Sequence, residues 1–369
     1  MDVEQARRGC HRTAARGCLT TPAEERLTTV VQANASAVSG HALKVLVLGA
    51  SGTIGAATVR ALVRRGHQVV CLVRHRQGAN AAQANQAVAD RLLGATVRWG
   101  DACDPVSLLG DGFADGQFDA VVSCMASRTG APQDAWRVDH QAHVDALKAA
   151  QSAGVKQFVL LSAICVQKPL LAFQQAKLAF EQTLIDSGMT YAIVRPTAFF
   201  KSLSGQVQRV KNGKAFLLFG DGRRTACKPI SDDDLGDFIA GCLDQPDRQN
   251  RILPIGGPGP AITPREQGEH LFKLMGLKPR FTSVPVGMLD LIISALSLLG
   301  RVSPAAAGKA ELARIGRYYA TESMLVFDTV KQQYDAVATP SHGTQTLFDA
   351  YELWIKNDEA PDRGEHKVF

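Results

Sequence analysis

Residues 44–65 read KVLVLGASGTIGAATVRALVRR, and this stretch decides the fold. The apolar run at 45–48 is typical of a strand buried on both faces, and residues 59–63 place apolar side chains at helical spacing. Glycines in the turn between them let the backbone bend tightly and approach a pyrophosphate, which free N–H groups at the helix N-terminus would bind. The order of strand, glycine turn and helix predicts a Rossmann-type nucleotide site. Its predicted cofactor-binding residues are Gly49, Ser51, Gly52, Thr53, Ile54 and Gly55.

The end of the second predicted strand, residues 68–73, indicates which dinucleotide binds. An NAD-binding fold usually has an acidic residue there that accepts a hydrogen bond from the ribose 2′-OH. This chain has Arg74 and Arg76 instead. Because a guanidinium forms charge-assisted bonds with phosphate, these arginines predict a 2′-phosphate and hence NADPH. The alternative is that both are ordinary solvated charges.

Strand and helix patterns alternate from residue 44 onward, as a doubly wound parallel sheet requires. Further strands are predicted at 95–99, 120–124, 157–161 and 191–194. In such a sheet, ligands lie beyond the carboxyl ends of the strands. This rule adds Asp101, Ser123, Ser162 and Pro196 to the predicted cofactor site, with Asp101 at the adenine edge.

Composition agrees with an enzyme of this class. With 369 residues, of which 46% are hydrophobic and 21% charged, the chain can bury an α/β core and a smaller substrate lobe. The net charge of +6 is scattered, so nucleic acid is not an expected partner. The eight cysteines and nine histidines show no metal-ligand spacing, so we expect reduced thiols and no metal site.

Pattern and composition divide the chain into four regions. Residues 1–42 form an N-terminal extension, predicted to be largely disordered and without the apolar segment of a secretory signal. Its acidic residues argue mildly against a plastid transit peptide. Residues 43–200 are the predicted NADP-binding domain. Residues 201–355 form the predicted substrate lobe, with late elements returning to the first domain, and 356–369 are a tail.

Residues 284–299 form an apolar run interrupted by Asp290. The run is too short and too mixed to span a bilayer. We expect a helix that packs over the core. The alternatives are a lid over the ligand and a peripheral contact with a membrane.

The layout resembles the short-chain dehydrogenase/reductase superfamily, with one departure. That superfamily carries Tyr-x-x-x-Lys on the helix after the fifth strand, here expected at 170–184. The matching residues run from Phe173 to Lys177 and read FQQAK. The phenol that would protonate an alkoxide is absent, which disfavours ordinary carbonyl reduction. We expect Phe173 to form a wall beside the nicotinamide and Lys177 to bind the nicotinamide ribose. An exposed helix lysine is the alternative for Lys177.

Five longer stretches closely resemble the NADPH-dependent divinyl chlorophyllide 8-vinyl-reductases. They are CVQKPLLAFQQAKLAFE (165–181), VRPTAFFKSLSGQ (194–206), FGDGRRTACKPIS (219–231), LPIGGPGPAITPREQGEHLFKLMG (253–276) and IGRYYATESMLVFD (315–328). The first includes Phe at the superfamily's Tyr position. The resemblance extends from about residue 44 to 351. It implies reduction of the C8 vinyl group of a divinyl chlorophyllide or protochlorophyllide to ethyl, in chlorophyll or bacteriochlorophyll synthesis.

This chemistry is compatible with the missing tyrosine. A vinyl group conjugated to a Mg-tetrapyrrole can accept hydride at its terminal carbon without forming an alkoxide, and protonation of the inner carbon follows. The proton donor stays open among Lys177, Cys165, Tyr318, Tyr319 and water. A flat macrocycle needs apolar walls, and its propionate needs a cation. The candidates are Phe199, Phe200, Phe216 and Phe219 with Lys201, Lys228 and Arg317.

Two other functions remain as alternatives. One is a non-catalytic NADP-binding redox sensor or assembly factor, and the other is reduction of another conjugated C=C bond, as in isoflavone-reductase-like enzymes. We expect the cytoplasm of a photosynthetic bacterium, with loose membrane attachment, as the location. A plastid stroma is the alternative if residues 1–42 are a transit peptide.

Overall fold

The computed structural model describes residues 41–78, 80–114 and 116–358. The predictions for residues 1–40 and 359–369 therefore lie outside the described residues. From Ala42 onward, the described residues belong to one compact unit. The division at residue 200 stays a prediction.

The centre of this unit is a seven-stranded sheet in which every pairing is parallel. Its strands are β1 (Lys44–Leu48), β2 (Gln68–Val73), β3 (Thr96–Trp99), β4 (Ala120–Ser123), β5 (Gln157–Leu161), β6 (Thr190–Pro196) and β8 (Arg251–Ile255). Their order across the sheet is β3-β2-β1-β4-β5-β6-β8. The strand order reverses between β1 and β4, where a doubly wound sheet opens a ligand crevice. This architecture confirms the predicted Rossmann-type α/β fold.

The helices follow the strands as the alternating pattern predicts. They are α1 (Thr53–Arg64), α2 (Ala81–Arg91), α3 (Pro105–Ser107), α4 (Pro132–Ala135), α5 (Ala142–Ser152), α6 (Ala172–Asp186), α7 (Phe200–Leu203), α8 (Gly205–Lys211), α9 (Asp232–Asp244), α10 (Pro264–Leu274), α11 (Val286–Leu299), α12 (Pro304–Thr321) and α13 (Leu347–Lys356). Short π-helical turns occur at Leu108–Gly112 and Trp136–Gln141, and 3₁₀ turns at Ile164–Gln167 and Pro246–Arg248.

Helices cover both faces of the sheet. Because successive side chains of a strand point to opposite faces, the inner strands contribute to both apolar clusters. Val45 and Val47 of β1 pack in the cluster that contains α1 and α9, and Leu46 and Leu48 pack in the cluster that contains α5 and α6. Helices α1 and α9 approach closely at Gly236, where an added Cβ would lie 2.6 Å from the backbone of Ala57. A side chain at this position would therefore separate the two helices.

The later part of the chain adds two small sheets and a third apolar cluster. β7 (Phe216–Phe219) pairs in parallel with β9 (Phe281–Val284), and β10 (Val326–Asp328) forms an antiparallel hairpin with β11 (Gln333–Asp335). The third cluster combines residues of α7, α8, α10, α12 and α13 with the segment before α6. The sequence patterns predicted none of these four strands.

The apolar run at 284–299 forms the expected helix, α11, but its expected packing is wrong. No residue of α11 is buried, and Leu291 is 73% exposed. The helix packs chiefly against α12 rather than over the core of the sheet. Among the helices that the structure describes, none combines the length and the apolar character needed to cross a membrane.

Candidate active site

The glycine turn between β1 and α1 has the geometry of an anion site. Gly49 has a φ of +78°, and a Cβ there would lie 2.6 Å from the carbonyl carbon of Cys124. A Cβ on Gly55 would lie 2.2 Å from the Gly49 oxygen, whereas one on Gly52 would meet only that oxygen, at 3.3 Å. Gly49 and Gly55 are therefore required by the protein's own packing, and Gly52 keeps open the space in front of the turn. No side chain caps the N-terminus of α1, so its N–H groups can bind a phosphate.

Two cations from elsewhere in the chain contact this turn. The Lys201 ammonium donates to the Thr53 hydroxyl at 2.9 Å, and the Arg91 guanidinium donates to the Ser51 carbonyl at 3.3 Å. Lys201, predicted as a substrate ligand, thus lies at the phosphate turn. The sequence analysis does not predict Arg91 at this turn, because no local sequence pattern distinguishes it from an ordinary arginine in the last turn of a helix.

The residues predicted to bind the adenosine end of the cofactor lie beyond β2 and β3. Arg74 and Asp101 form an ion pair of 3.8 Å, with the two side chains 50% and 38% exposed. The side chain of Arg76 is also exposed, and its backbone N–H donates to Asn85 at 2.8 Å. This end therefore presents solvent-accessible guanidinium groups, as a 2′-phosphate requires.

Lys177 of α6, predicted to bind the nicotinamide ribose, is held by a buried carboxylate. Its ammonium lies 3.0 Å from the Asp139 carboxylate, and both residues are buried. Ser127 also donates to Asp139, through its hydroxyl at 2.5 Å and its N–H at 3.2 Å. Asp139 belongs to the π-helical turn between α4 and α5, and such turns often occur at functional sites. Lys177 is thus a held cation rather than an exposed helix lysine.

Ser123, at the end of β4, is held by a buried histidine. Its hydroxyl lies 2.9 Å from Nε2 of His143, whose Nδ1 lies 2.8 Å from the Val138 carbonyl. Burial, reinforced by the nearby Lys177 charge, lowers the pKa of His143 to about 4. The neutral ring must donate from Nδ1 to the carbonyl, so Nε2 accepts from Ser123.

Ser162 is also held, by charged groups. Its hydroxyl donates to the buried Glu181, which accepts two bonds of 3.2 Å from Nε of Arg195. This network joins the ends of β5 and β6 to α6, next to the buried Pro196. Neither Ser123 nor Ser162 has an uncommitted hydroxyl proton.

The residues predicted to contact a substrate have different surroundings in the structure. Phe200 and Phe216 are buried in the third apolar cluster, and Phe199 packs against the sheet. Lys228 donates to the Thr339 carbonyl at 3.0 Å, and Arg317 pairs with Asp290. Phe200 and Phe216 share one apolar cluster, and the roles of all these residues as substrate ligands stay predictions.

The fold and the site define an oxidoreductase of the nicotinamide-dinucleotide class. The family model described as NAD(P)H-binding matches residues 49–246, which confirms the predicted nicotinamide cofactor. The chain resembles the structure of leucoanthocyanidin reductase with NADPH from Vitis vinifera, with a TM-score of 0.60, 16% identity, and coverage of 85% of this chain and 99% of that one.

Curated relatives define the family more narrowly. The chain is 49% identical to the divinyl chlorophyllide a 8-vinyl-reductase, chloroplastic, of Oryza sativa subsp. indica, over 88% of this chain and 82% of that protein. It is 26% identical to the Photosystem II assembly factor Ycf39 of Synechocystis, over 67% of this chain and 72% of that protein. The chain belongs to the divinyl chlorophyllide a 8-vinyl-reductase family.

Proposed function

We propose that this chain uses NADPH to reduce the C8 vinyl group of a divinyl chlorophyllide or protochlorophyllide to ethyl. The observation that carries the proposal is the pairing of Phe173 with a retained Lys177 in a chain of this family. A site that keeps the ribose-binding cation but lacks the adjacent phenol is suited to a reaction without an alkoxide.

The residues present fit the cofactor. Gly52 leaves space for the pyrophosphate, and the uncapped N-terminus of α1 faces that space. The exposed Arg74 side chain can reach a 2′-phosphate. NADPH supplies a hydride when it is bound. The protein's task is to place the vinyl carbon within about 3–3.5 Å of the hydride donor and to exclude water. Lys177, held by Asp139, orients the nicotinamide ribose for this purpose.

The direct test is to incubate the purified chain with NADPH and divinyl chlorophyllide. We expect one NADPH to be oxidised for each vinyl group lost, with a small blue shift of the pigment and a changed chromatographic retention. The 8-ethyl pigment is the control and should leave NADPH unchanged. Pigment binding without NADPH oxidation would favour the non-catalytic alternative, for which the similarity to Ycf39 is a specific observation. Turnover of other conjugated alkenes alone would favour the isoflavone-reductase-like alternative.

Lys201 remains our first candidate for the cation that orients the substrate propionate. Since its ammonium also contacts Thr53 in the phosphate turn, the test must separate two roles. As a substrate ligand, Lys201→Ala should erase the preference for the free acid over the methyl ester and leave the Kd of NADPH unchanged. A large loss of NADPH affinity with the preference intact would assign Lys201 to the cofactor instead.

The exposed surface of α11 supports a peripheral contact with a membrane. Leu291 and Leu298 are exposed, its one charged residue, Asp290, is paired with Arg317, and Arg301 and Lys309 lie exposed beyond its end. An apolar helix beside basic side chains is suited to an anionic bilayer surface. Wild-type protein should float with phosphatidylglycerol vesicles, and Leu291→Glu should reduce this binding without changing thermal stability. Equal flotation of the two proteins would contradict the contact.

A chloroplast is the compartment we propose, because the relatives at 45–49% identity are described as chloroplastic. Import of the full chain into isolated chloroplasts, with removal of an N-terminal segment, is the expected result. Absence of import would favour the bacterial cytoplasm.

A further inference from the structure

Reduction of the vinyl group, as proposed above, needs a proton donor that the superfamily motif no longer supplies. Phe173 stands where the phenol would be, and the hydroxyls of Ser123 and Ser162 are committed to His143 and Glu181. The two tyrosine candidates lie on another element, one that reaches the start of α6.

Helix α12 is such an element. A Cβ built on Gly130 would lie 2.7 Å from Cδ1 of Ile315 and 3.8 Å from Cδ1 of Phe173. Ile315 of α12 and Phe173 of α6 therefore meet at the same point beside Gly130. Tyr319 follows Ile315 by four residues, so it lies one turn further along the same face of α12.

Two phenols of α12 reach this region, and they differ in their hydrogen bonds. Tyr318 is 3% exposed, and its hydroxyl donates to the Cys165 carbonyl at 2.9 Å. Tyr319 is 37% exposed, and its hydroxyl contacts the Cys165 thiol, which is a weak acceptor. The two rings are perpendicular, with centroids 5.7 Å apart. Of these two phenols, Tyr319 has the more exposed ring, and its hydroxyl, which is buried beside the Cys165 thiol, is not held by a strong acceptor.

A second feature of the same region is a buried side-chain amide without a hydrogen-bond partner. Gln174, directly after Phe173, is fully buried, and its Nε2 has no hydrogen-bond partner, although the amide lies near the Cys165 thiol and the Tyr318 hydroxyl. Natural proteins seldom leave a buried donor unpaired, and a bound ligand is one explanation for such a group. The unpaired amide and the Tyr319 phenol thus adjoin one thiol, that of Cys165.

We propose that Tyr319 is the proton donor of the reaction. After hydride addition to the outer vinyl carbon, the electron pair is spread over the macrocycle. The O–H bond of Tyr319 then breaks, its proton forms the new C–H bond at the inner carbon, and water reprotonates the phenolate. The two hydrogens added to the vinyl group come from NADPH and from Tyr319.

The other candidates are less suited to this step. Lys177 is held by Asp139, and the Cys165 thiol is buried. Burial raises the pKa of the Cys165 thiol, and burial with Cys165 nearby raises the pKa of Tyr319. Both groups are therefore protonated at neutral pH, and it is the exposed ring of Tyr319 and the contact of α12 with Phe173 that favour Tyr319.

The test compares Tyr319→Phe with Tyr318→Phe, a matched loss of the adjacent hydroxyl. Tyr319→Phe should lower kcat at least 100-fold, in the range for removal of a general acid, while the Kd of NADPH changes less than about twofold. Tyr318→Phe should lower kcat by less than tenfold. A loss of similar size in both variants, or turnover of Tyr319→Phe within fivefold of wild type, would overturn the assignment.

A second measurement does not depend on turnover. With ¹³C-labelled tyrosine, the resonance that Tyr319→Phe removes should shift strongly when divinyl chlorophyllide binds, because the ring current of the macrocycle acts at short range. The Tyr318 resonance should shift much less. An unshifted Tyr319 resonance in a complex that turns over would overturn the assignment and leave the proposed function intact. A wild-type protein that never oxidises NADPH with the pigment would overturn both.

Discussion

The 2′-phosphate site gives the sharpest test of cofactor choice. Arg74→Ala removes a guanidinium whose ion pair with Asp101 is long and exposed, so breaking that pair should cost almost no stability. Hydrogen bonds to charged groups contribute about 1.5–3 kcal/mol. Because the Arg74 side chain is 50% exposed, we expect the lower end. A loss of about 1.5 kcal/mol weakens NADPH binding roughly 12-fold, since each 1.4 kcal/mol is tenfold.

Isothermal calorimetry with NADPH and NADH distinguishes the outcomes. NADH lacks the 2′-phosphate, so its weaker binding should be unchanged in Arg74→Ala. The matched control is Arg251→Ala. Arg251 is exposed at the start of β8, the last strand on the side of the sheet opposite β3. Equal losses for NADPH and NADH would refute the assignment. A loss found only in Arg91→Ala would move the 2′-phosphate site to α2.

Three further outcomes follow from the geometry. Gly52→Val should fold yet fail to bind NADPH in calorimetry. Gly55→Val should fold poorly, because its side chain would clash with the Gly49 carbonyl oxygen. Normal NADPH binding by Gly52→Val would contradict the proposed pyrophosphate site at the glycine turn. Phe173→Leu should keep measurable turnover with an unchanged pH profile. Lys177→Ala should lose turnover and also about 3 kcal/mol of stability, the lower end for a broken buried pair, because the buried Asp139 carboxylate loses its cation but keeps both bonds from Ser127. Similar behaviour of these variants in turnover assays and melts would refute the correspondence on α6. Burial raises the pKa of Asp232 from 3.8 to about 6, so the protonated carboxyl stabilises the fold below pH 4 and this stability is lost as pH rises through about 6. Asp232→Asn should therefore gain up to about 3 kcal/mol at pH 7, at 1.36 kcal/mol per pKa unit, and little at pH 4; equal gains in thermal melts at both pH values would contradict the burial argument.

Features that depend on residues close together in the chain can be predicted from the sequence. A buried strand, a glycine turn and an amphipathic helix each have a local pattern, so β1, α1 and the cofactor turn were predicted at 44–65. The arginines after β2 and the phenylalanine before Lys177 are also local facts. The rule that parallel strands end at one edge predicts Ser123 and Ser162 beside the cleft.

Only the tertiary structure decided the contacts between residues far apart in the chain. Lys201 reaches Thr53 across 148 positions, and Tyr318 reaches Cys165 across 153. No local pattern encodes such pairs, because they depend on how α7 and α12 fold back onto the carboxyl edge of the sheet. The exposure of α11 has the same origin: an apolar helix is buried only if a partner covers it, and among the described elements α11 packs chiefly against α12.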